Sequence, residues 1–138
     1  MLIGGHLVAG SVSMPVTDPA TEQAFANAPD CTDDELETAI AAARAAFPGW
    51  RQAGIEHRRA LVRQMALRIE VHVADLSRLL TQEQGKTLAA SGREFDSMSR
   101  FMRGLAKLDL PETVNEDTPE RRSVTRRVPV GVVAALSP

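Results

Sequence analysis

Three spacings of apolar residues divide this chain. Up to about residue 30 they come in short runs broken by turn residues. From 32 to 108 they recur every three or four positions, and from 130 to 136 they are continuous. Alternation and short runs predict strands, a three-to-four repeat predicts helices with one apolar face, and an unbroken run of seven suits a strand buried on both faces.

The first region opens with Leu2-Ile3, Gly4-Gly5 and His6-Leu7-Val8, a hairpin signal, because two glycines accept the positive φ of a tight turn. Met14 to Thr17 predicts a second extended piece and Ala24 to Ala28 a third. Asp18-Pro19-Ala20-Thr21 lies between them as a turn: Asp18 can bond the backbone ahead and Pro19 presets its own φ. Thr32 with Glu35 three residues on makes a capping box. Leu36, Ala39, Ile40, Ala43 and Phe47 follow as the stripe of a first helix, with Pro48-Gly49 predicted to stop it. A second helix is expected from Ile55 or Glu56, with Leu61, Met65 and Ile69 on one face. A third runs from Val73 to Glu83 and ends at Gly85. A fourth extends from about Thr87 to Leu108, with Phe95, Met98, Phe101, Met102, Leu105 and Leu108 as its stripe. The acidic stretch from Glu112 to Glu120 reads as a surface loop, and Ser123-Val124-Thr125 as extended chain between arginine pairs.

Composition narrows the possibilities. The chain has 138 residues, with 16 Lys+Arg against 18 Asp+Glu and a formal charge of -2, which argues against nucleic-acid binding through a basic surface. Aromatic residues make up 4%, so any core must come from Ala, Leu, Val, Ile and Met. A lone cysteine, Cys31, excludes an internal disulfide and a multi-cysteine metal cluster. The uncharged stretch from Met1 to Thr17 is broken by glycines and serines and lacks a basic start. It therefore reads as neither a signal peptide nor a membrane span, and the cytoplasm is the expected compartment.

Candidate chemistry is sparse. Gln84-Gly85-Lys86-Thr87 has the ending of a phosphate-binding loop, but that motif needs a glycine where Leu80 stands and a strand before it. Gly85 as a helix C-cap is the better account. His6, His57 and His72 lack metal-ligand spacing. Cys31 precedes a helix cap, where a thiol pKa can fall, but neither a base nor an oxyanion hole is apparent nearby. Arg121, Arg122, Arg126 and Arg127 follow an acidic stretch, and local ion pairing is their expected role.

Taken in order, several segments resemble the N-terminal part of an NAD(P)-dependent aldehyde dehydrogenase. Asp18-Pro19-Ala20-Thr21-Glu22 is similar to the family's Asn-Pro-Ala-Thr-Gly-Glu turn. Ala39 through Trp50 is similar to its helix ending in Ala-Phe-x-x-Trp. Leu79 through Lys86 resembles the segment ending in Glu-x-Gly-Lys-Pro, and Arg127 through Pro138 the run Pro-x-Gly-Val-x-x-x-Ile-x-Pro. Asp18 departs from the usual Asn, Thr87 from the usual Pro, and Glu22-Gln23 from Gly-Glu.

The resemblance implies an α/β fold: an incomplete Rossmann-like cofactor domain, mostly helical, with short N-terminal strands over 1–30 and helices over 32–108. A bridging or oligomerisation strand would cover 121–128, and the first buried sheet strand 130–136. It implies NAD or NADP bordered by the backbone of Leu136, Ser137 and Pro138, and a structural monovalent cation held by Glu83 and the carbonyl of Thr17. Solvation in the last helical turn is the simpler account of Glu83. A small-molecule aldehyde as substrate and a homodimer or homotetramer as assembly also follow from the resemblance. The family's reaction is hydride transfer from a thiohemiacetal to NAD(P)+ and hydrolysis of the resulting thioester. Its Asn, Gly-rich loop, Glu base and Cys nucleophile would follow this stretch, and Cys31 does not match the nucleophile's motif. Two readings stand: the opening part of such an enzyme, inactive alone, or a non-catalytic helical interaction module derived from one. A doubly buried strand without its neighbours favours the first, and it predicts a sticky isolated chain.

Overall fold

In the computed structural model, which describes residues 1–136, every strand pairs only with its chain neighbour. The strands form three separate two-stranded antiparallel ladders: β1 (Leu2–Ile3) with β2 (His6–Leu7), β3 (Val12–Asp18) with β4 (Gln23–Asp30), and β5 (Thr113–Asp117) with β6 (Arg122–Thr125). Four helices lie between the second ladder and the third: α1 (Asp33–Gln52), α2 (Gly54–Val71), α3 (Val73–Gln84) and α4 (Leu88–Leu105).

The first ladder turns on Gly4 and Gly5, at φ 59° and 86°, and the Met1 ammonium donates to the Val8 carbonyl at 2.7 Å. In the second, Pro15 and Pro29 are tolerated because each strand of a two-stranded ladder keeps one free edge. The connecting turn is held by Asp18, whose Oδ1 accepts from the Ala20 N–H at 2.8 Å and whose carbonyl accepts from the Glu22 N–H at 2.8 Å. Glu22 is the one non-glycine residue with positive φ among the described residues, at 59°.

Helix α1 starts on the predicted capping box. Thr32 Oγ1 accepts from the Glu35 N–H, and Glu35 Oε2 accepts from the Thr32 N–H at 3.0 Å. Its end differs from expectation, because the helix runs through Pro48 and Gly49 to Gln52. Proline removes one N–H from the ladder, but Arg44, four residues earlier, is exposed, so water can take its carbonyl. Gly49 keeps a negative φ, and the break comes at Ala53-Gly54, where Gly54 has φ 69°. Helix α3 ends as expected on a left-handed Gly85, at φ 69°, and α4 starts on the Thr87 cap.

Helix α4 packs on both α2 and α3. The side it buries is not the predicted apolar stripe. Ser91, Ser99 and Ala106 are buried and Phe95 and Met102 half-buried, whereas Met98, Phe101, Leu105 and Leu108 are exposed. Small residues let the helix axes approach, and the longer apolar side chains are left on the flank. Ser77 on α3 and Ala66 on α2 complete the buried set.

The acidic segment also departs from expectation. Instead of a loop it supplies β5, closed on β6 by a turn in which the Thr118 N–H donates to the Arg121 carbonyl at 2.8 Å. Arg121 pairs with Glu116 at 3.2 Å and Arg126 with Glu112 at 4.0 Å, the local ion pairing expected of these arginines, here formed within a hairpin and not a loop. Residues 130–136, expected as a buried strand, form no ladder here. Among the described residues no strand pairs with them, Gly131 has φ 133°, and Val130 and Leu136 are 88% and 98% exposed.

The total accessible surface is 10,736 Å². A compact monomer of 14.9 kDa exposes about 7,000 Å². The chain exposes about 3,700 Å² more than that scaling gives, and Leu36, Trp50, Met65, Met98 and Phe101 are among its exposed large hydrophobic residues.

Candidate functional site

Two places in the chain bring together residues that the sequence singled out. The first lies where the Asp18–Glu22 turn meets the end of α3. Helix α3 packs on β3, and a cavity of about 290 Å³ is lined by Asp18 and Ala20 from the turn and by Arg78, Thr81, Gln82, Gly85 and Leu88. The approach is close: a Cβ at Gly85 would come within 2.8 Å of Pro19 Cγ. Gly85 is therefore fixed twice, by its left-handed φ and by the proline against it. Lys86, the next residue, reaches across to Glu94 at 2.6 Å.

Thr17 and Glu83, the expected cation ligands, flank this cavity in sequence without lining it. Thr17 pairs with Ala24 just past a register shift in the ladder, and Glu83 sits exposed in the last turn of α3. Among the described residues no three His, Cys, Asp or Glu side chains gather to hold a metal ion. A carbonyl and one solvated carboxylate do not by themselves make a cation site.

The second place is the groove between α1 and the C-terminal run. Leu36, Ile40, Ala43 and Phe47 face Val132 and Val133 across a cavity of about 610 Å³, with Arg44 its charged liner. Leu136 is 98% exposed, and Ser137 and Pro138, the other two residues expected to border the cofactor, lie outside the described residues.

No nucleophile is prepared either. Cys31 is exposed, and its Sγ meets the Thr32 carbonyl at 3.5 Å. His6, His57 and His72 are exposed. The two carboxylates shifted from their ordinary range are structural. Backbone donation from Thr32 is the largest influence on Glu35; desolvation opposes it, and further donation from Ser11 and the Thr32 and Ser11 hydroxyls keeps the carboxyl below its usual value. The guanidinium of Arg103 does the same for Glu70, through two hydrogen bonds at 2.7 and 2.5 Å. Glu35 thus has a use beyond the cap: Oε1 accepts from the Ser11 N–H at 2.9 Å and ties the start of β3 to α1. The sequence gives no sign of that link. Glu22 could have been flagged, because it stands where the turn it resembles carries glycine.

Comparison with known proteins is concordant. The model of the aldehyde dehydrogenase family matches residues 8–138. A probable aldehyde dehydrogenase from a Pseudomonas species is 41% identical over 138 residues, covering 100% of this chain and 28% of its own length. The NADP+ succinate-semialdehyde dehydrogenase of Escherichia coli K12 is 32% identical over 129 residues, covering 91% of this chain and 27% of its own. The backbone superposes on betaine aldehyde dehydrogenase from Staphylococcus aureus, solved with NAD+, at a TM-score of 0.79 and 27% identity. That match covers 89% of this chain and 26% of the other. The chain therefore spans about a quarter of the length of the relatives it matches.

Proposed function

Since the chain belongs to the aldehyde dehydrogenase family, we propose that it serves as the scaffold quarter of an NAD(P)-dependent enzyme that oxidises a small aldehyde to a carboxylic acid. Its work is to present surfaces on which the catalytic body is built. The observation that carries this reading is the backbone match at a TM-score of 0.79 over 89% of the chain to a relative solved with NAD+. The surface excess supports it, because the chain exposes about 3,700 Å² more than a compact monomer of its mass.

In the assembled enzyme Val130 to Leu136 joins a Rossmann-like sheet as a buried strand, and its end, with Ser137 and Pro138, borders NAD or NADP. The Thr17 carbonyl and Glu83 take the monovalent cation once further ligands close around them. The β5–β6 hairpin, with 121–128 as its second half, serves assembly into a homodimer or homotetramer. Cys31 has no part in the chemistry: it is exposed, and its Sγ donates only to the Thr32 carbonyl among the described hydrogen bonds.

A chimera tests the reading. The matched part of the Pseudomonas relative is replaced by this chain, in one continuous polypeptide. Aldehyde-dependent reduction of NAD+ or NADP+ is the expected result, and a soluble, folded but inactive chimera overturns the proposal. The 138-residue chain alone is expected to show no turnover with aldehyde and either nucleotide.

A further inference from the structure

The hollows on this chain differ in charge. The α1 groove carries one arginine, Arg44, and so does a hollow of about 550 Å³ between Trp50 and α2, with Arg68. The hollow at the Asp18 turn sets Arg78 in the same wall as an acid. A smaller one, of about 250 Å³, carries two arginines, Arg58 and Arg127, and no acid among its liners. It lies where the end of α1 and the start of α2 meet the chain that follows the β5–β6 hairpin. Trp50, Ile55, Leu110 and Val128 give it apolar walls.

The neighbouring basic residues are already paired. Arg59 pairs with Glu56 and stands 3.9 Å from Asp109, the residue before Leu110, and Arg126 pairs with Glu112. Among the described residues neither Arg58 nor Arg127 has a carboxylate within ion-pair distance. Arg58 is also held in place. Its Nη1 donates to the Trp50 carbonyl at 3.2 Å, and its guanidinium lies 5.9 Å from the centre of the Trp50 ring. That carbonyl belongs to the last turn of α1, where a helix leaves its carbonyls unpaired. One nitrogen is used in the cap, and the rest of the fork remains for another acceptor.

Two like charges lining one apolar hollow repel each other unless an anion stands between them. A guanidinium grips a carboxylate through two parallel N–H···O bonds, and a fork already fixed loses little freedom in doing so. The hollow falls below the range of about 300–1,000 Å³ that takes drug-sized ligands, so its volume suits a chain of a few carbons. We propose that it binds a short aliphatic carboxylate, with the oxygens held between Arg58 and Arg127 and the tail laid along Ile55, Leu110 and Val128. Such a site does not depend on the aldehyde oxidation proposed above.

Trp50 is the only tryptophan and the chain has no tyrosine, so the intrinsic fluorescence of the 138-residue chain reads the surroundings of this one ring. Titration with sodium pentanoate at constant ionic strength should change that signal along a saturating curve, with a Kd of about a few millimolar. Pentanamide, of the same length without the charge, should bind about tenfold more weakly or worse. Trp50 borders other hollows as well, so Arg127→Gln locates the effect. Arg127 is exposed and lies outside every helix and strand, so circular dichroism should be unchanged. Loss of its fork should weaken pentanoate by about tenfold, with Arg127→Lys in between. Arg93→Gln, the same charge change at an exposed position on α4, should bind as the parent does. A signal that never saturates overturns the proposal, as does pentanamide binding as well as pentanoate, or Arg127→Gln at parental strength. A loss in Arg93→Gln as large as in Arg127→Gln also overturns it, because net charge and not the hollow would then draw the anion.

Discussion

Helices α1 and α4 carry apolar stripes of similar regularity and meet opposite fates. Helix α4 closes on α2 and α3 through Ser91, Ser99 and Ala106, all buried within this chain. Helix α1 buries no residue fully, although Leu36, Ala39, Ile40, Ala43 and Phe47 repeat as regularly as any stripe in the sequence. The difference teaches that periodicity says which face of a helix is meant for cover, and not whether the cover lies nearby. The α3–α4 seam is finished locally by small residues. The α1 face is left for something else.

The sharpest way to break this comparison is to make the same kind of change on both sides. Ser91→Leu overfills a site with 0% exposure and removes the 3.0 Å hydroxyl contact with Thr81. A loss of about 3 kcal/mol is expected, read by urea denaturation. Ala43→Leu, in the open groove, should change stability by less than about 0.5 kcal/mol. Equal losses at the two positions would show that α1 is already covered.

Gly85→Ala comes next. It forces a side chain into a left-handed backbone and against Pro19, and a loss of about 2 kcal/mol is expected, measured as a lower urea midpoint at unchanged slope. Glu22→Gly should go the other way, with a gain of about 1 kcal/mol, because it removes a left-handed penalty in the opposing turn. A gain from Gly85→Ala or a loss from Glu22→Gly would refute the backbone description of this junction.

The smallest effect is electrostatic. Glu35 and Glu70 both have carboxyl groups held below the ordinary value of 4.5. Their contribution to stability is therefore fully present above that pH and is lost as pH falls through their lower folded values. Glu35→Gln should flatten the part of the acid limb that reports the α1 cap, and Glu70→Gln the part that reports the link to Arg103. A melting series from neutral pH down through pH 4 separates them. An unchanged acid limb in both variants would show that neither contact holds in solution.

Much of the local structure was legible because single residues dictate it. The Thr32–Glu35 box, the Gly4-Gly5 turn, the Asp18 turn and the Gly85 cap all follow from side-chain or backbone chemistry within four residues. The misreadings come from longer range. Pro48 predicts a stop, yet a helix exposed at Arg44, whose carbonyl loses its partner, tolerates it. The acidic stretch predicts a loop from its charge and prolines, and although ion pairing with Arg121 and Arg126 is also expected, that the pairs close a hairpin depends on a ladder the local pattern does not show. Hydrophobicity predicts the α4 stripe, whereas close packing on α2 and α3 buries Ser91 and Ser99 and leaves Met98 and Phe101 exposed. For the candidate site, the four resembling segments were readable one by one. That the Pro19 turn and Gly85 touch was not, since some sixty residues separate them.

The helical seam has a consequence in time. Helices α2, α3 and α4 follow one another in sequence and contact one another directly, so their closure needs no distant segment. Contacts of short sequence separation form fast, and nascent chains fold from the N-terminus as they emerge. In a ribosome-bound chain this bundle can close while later residues are still being added. The apolar face of α1 meanwhile waits, open, for residues made later. That interval is when such a nascent chain is most exposed to aggregation, and when a chaperone has most reason to attend it.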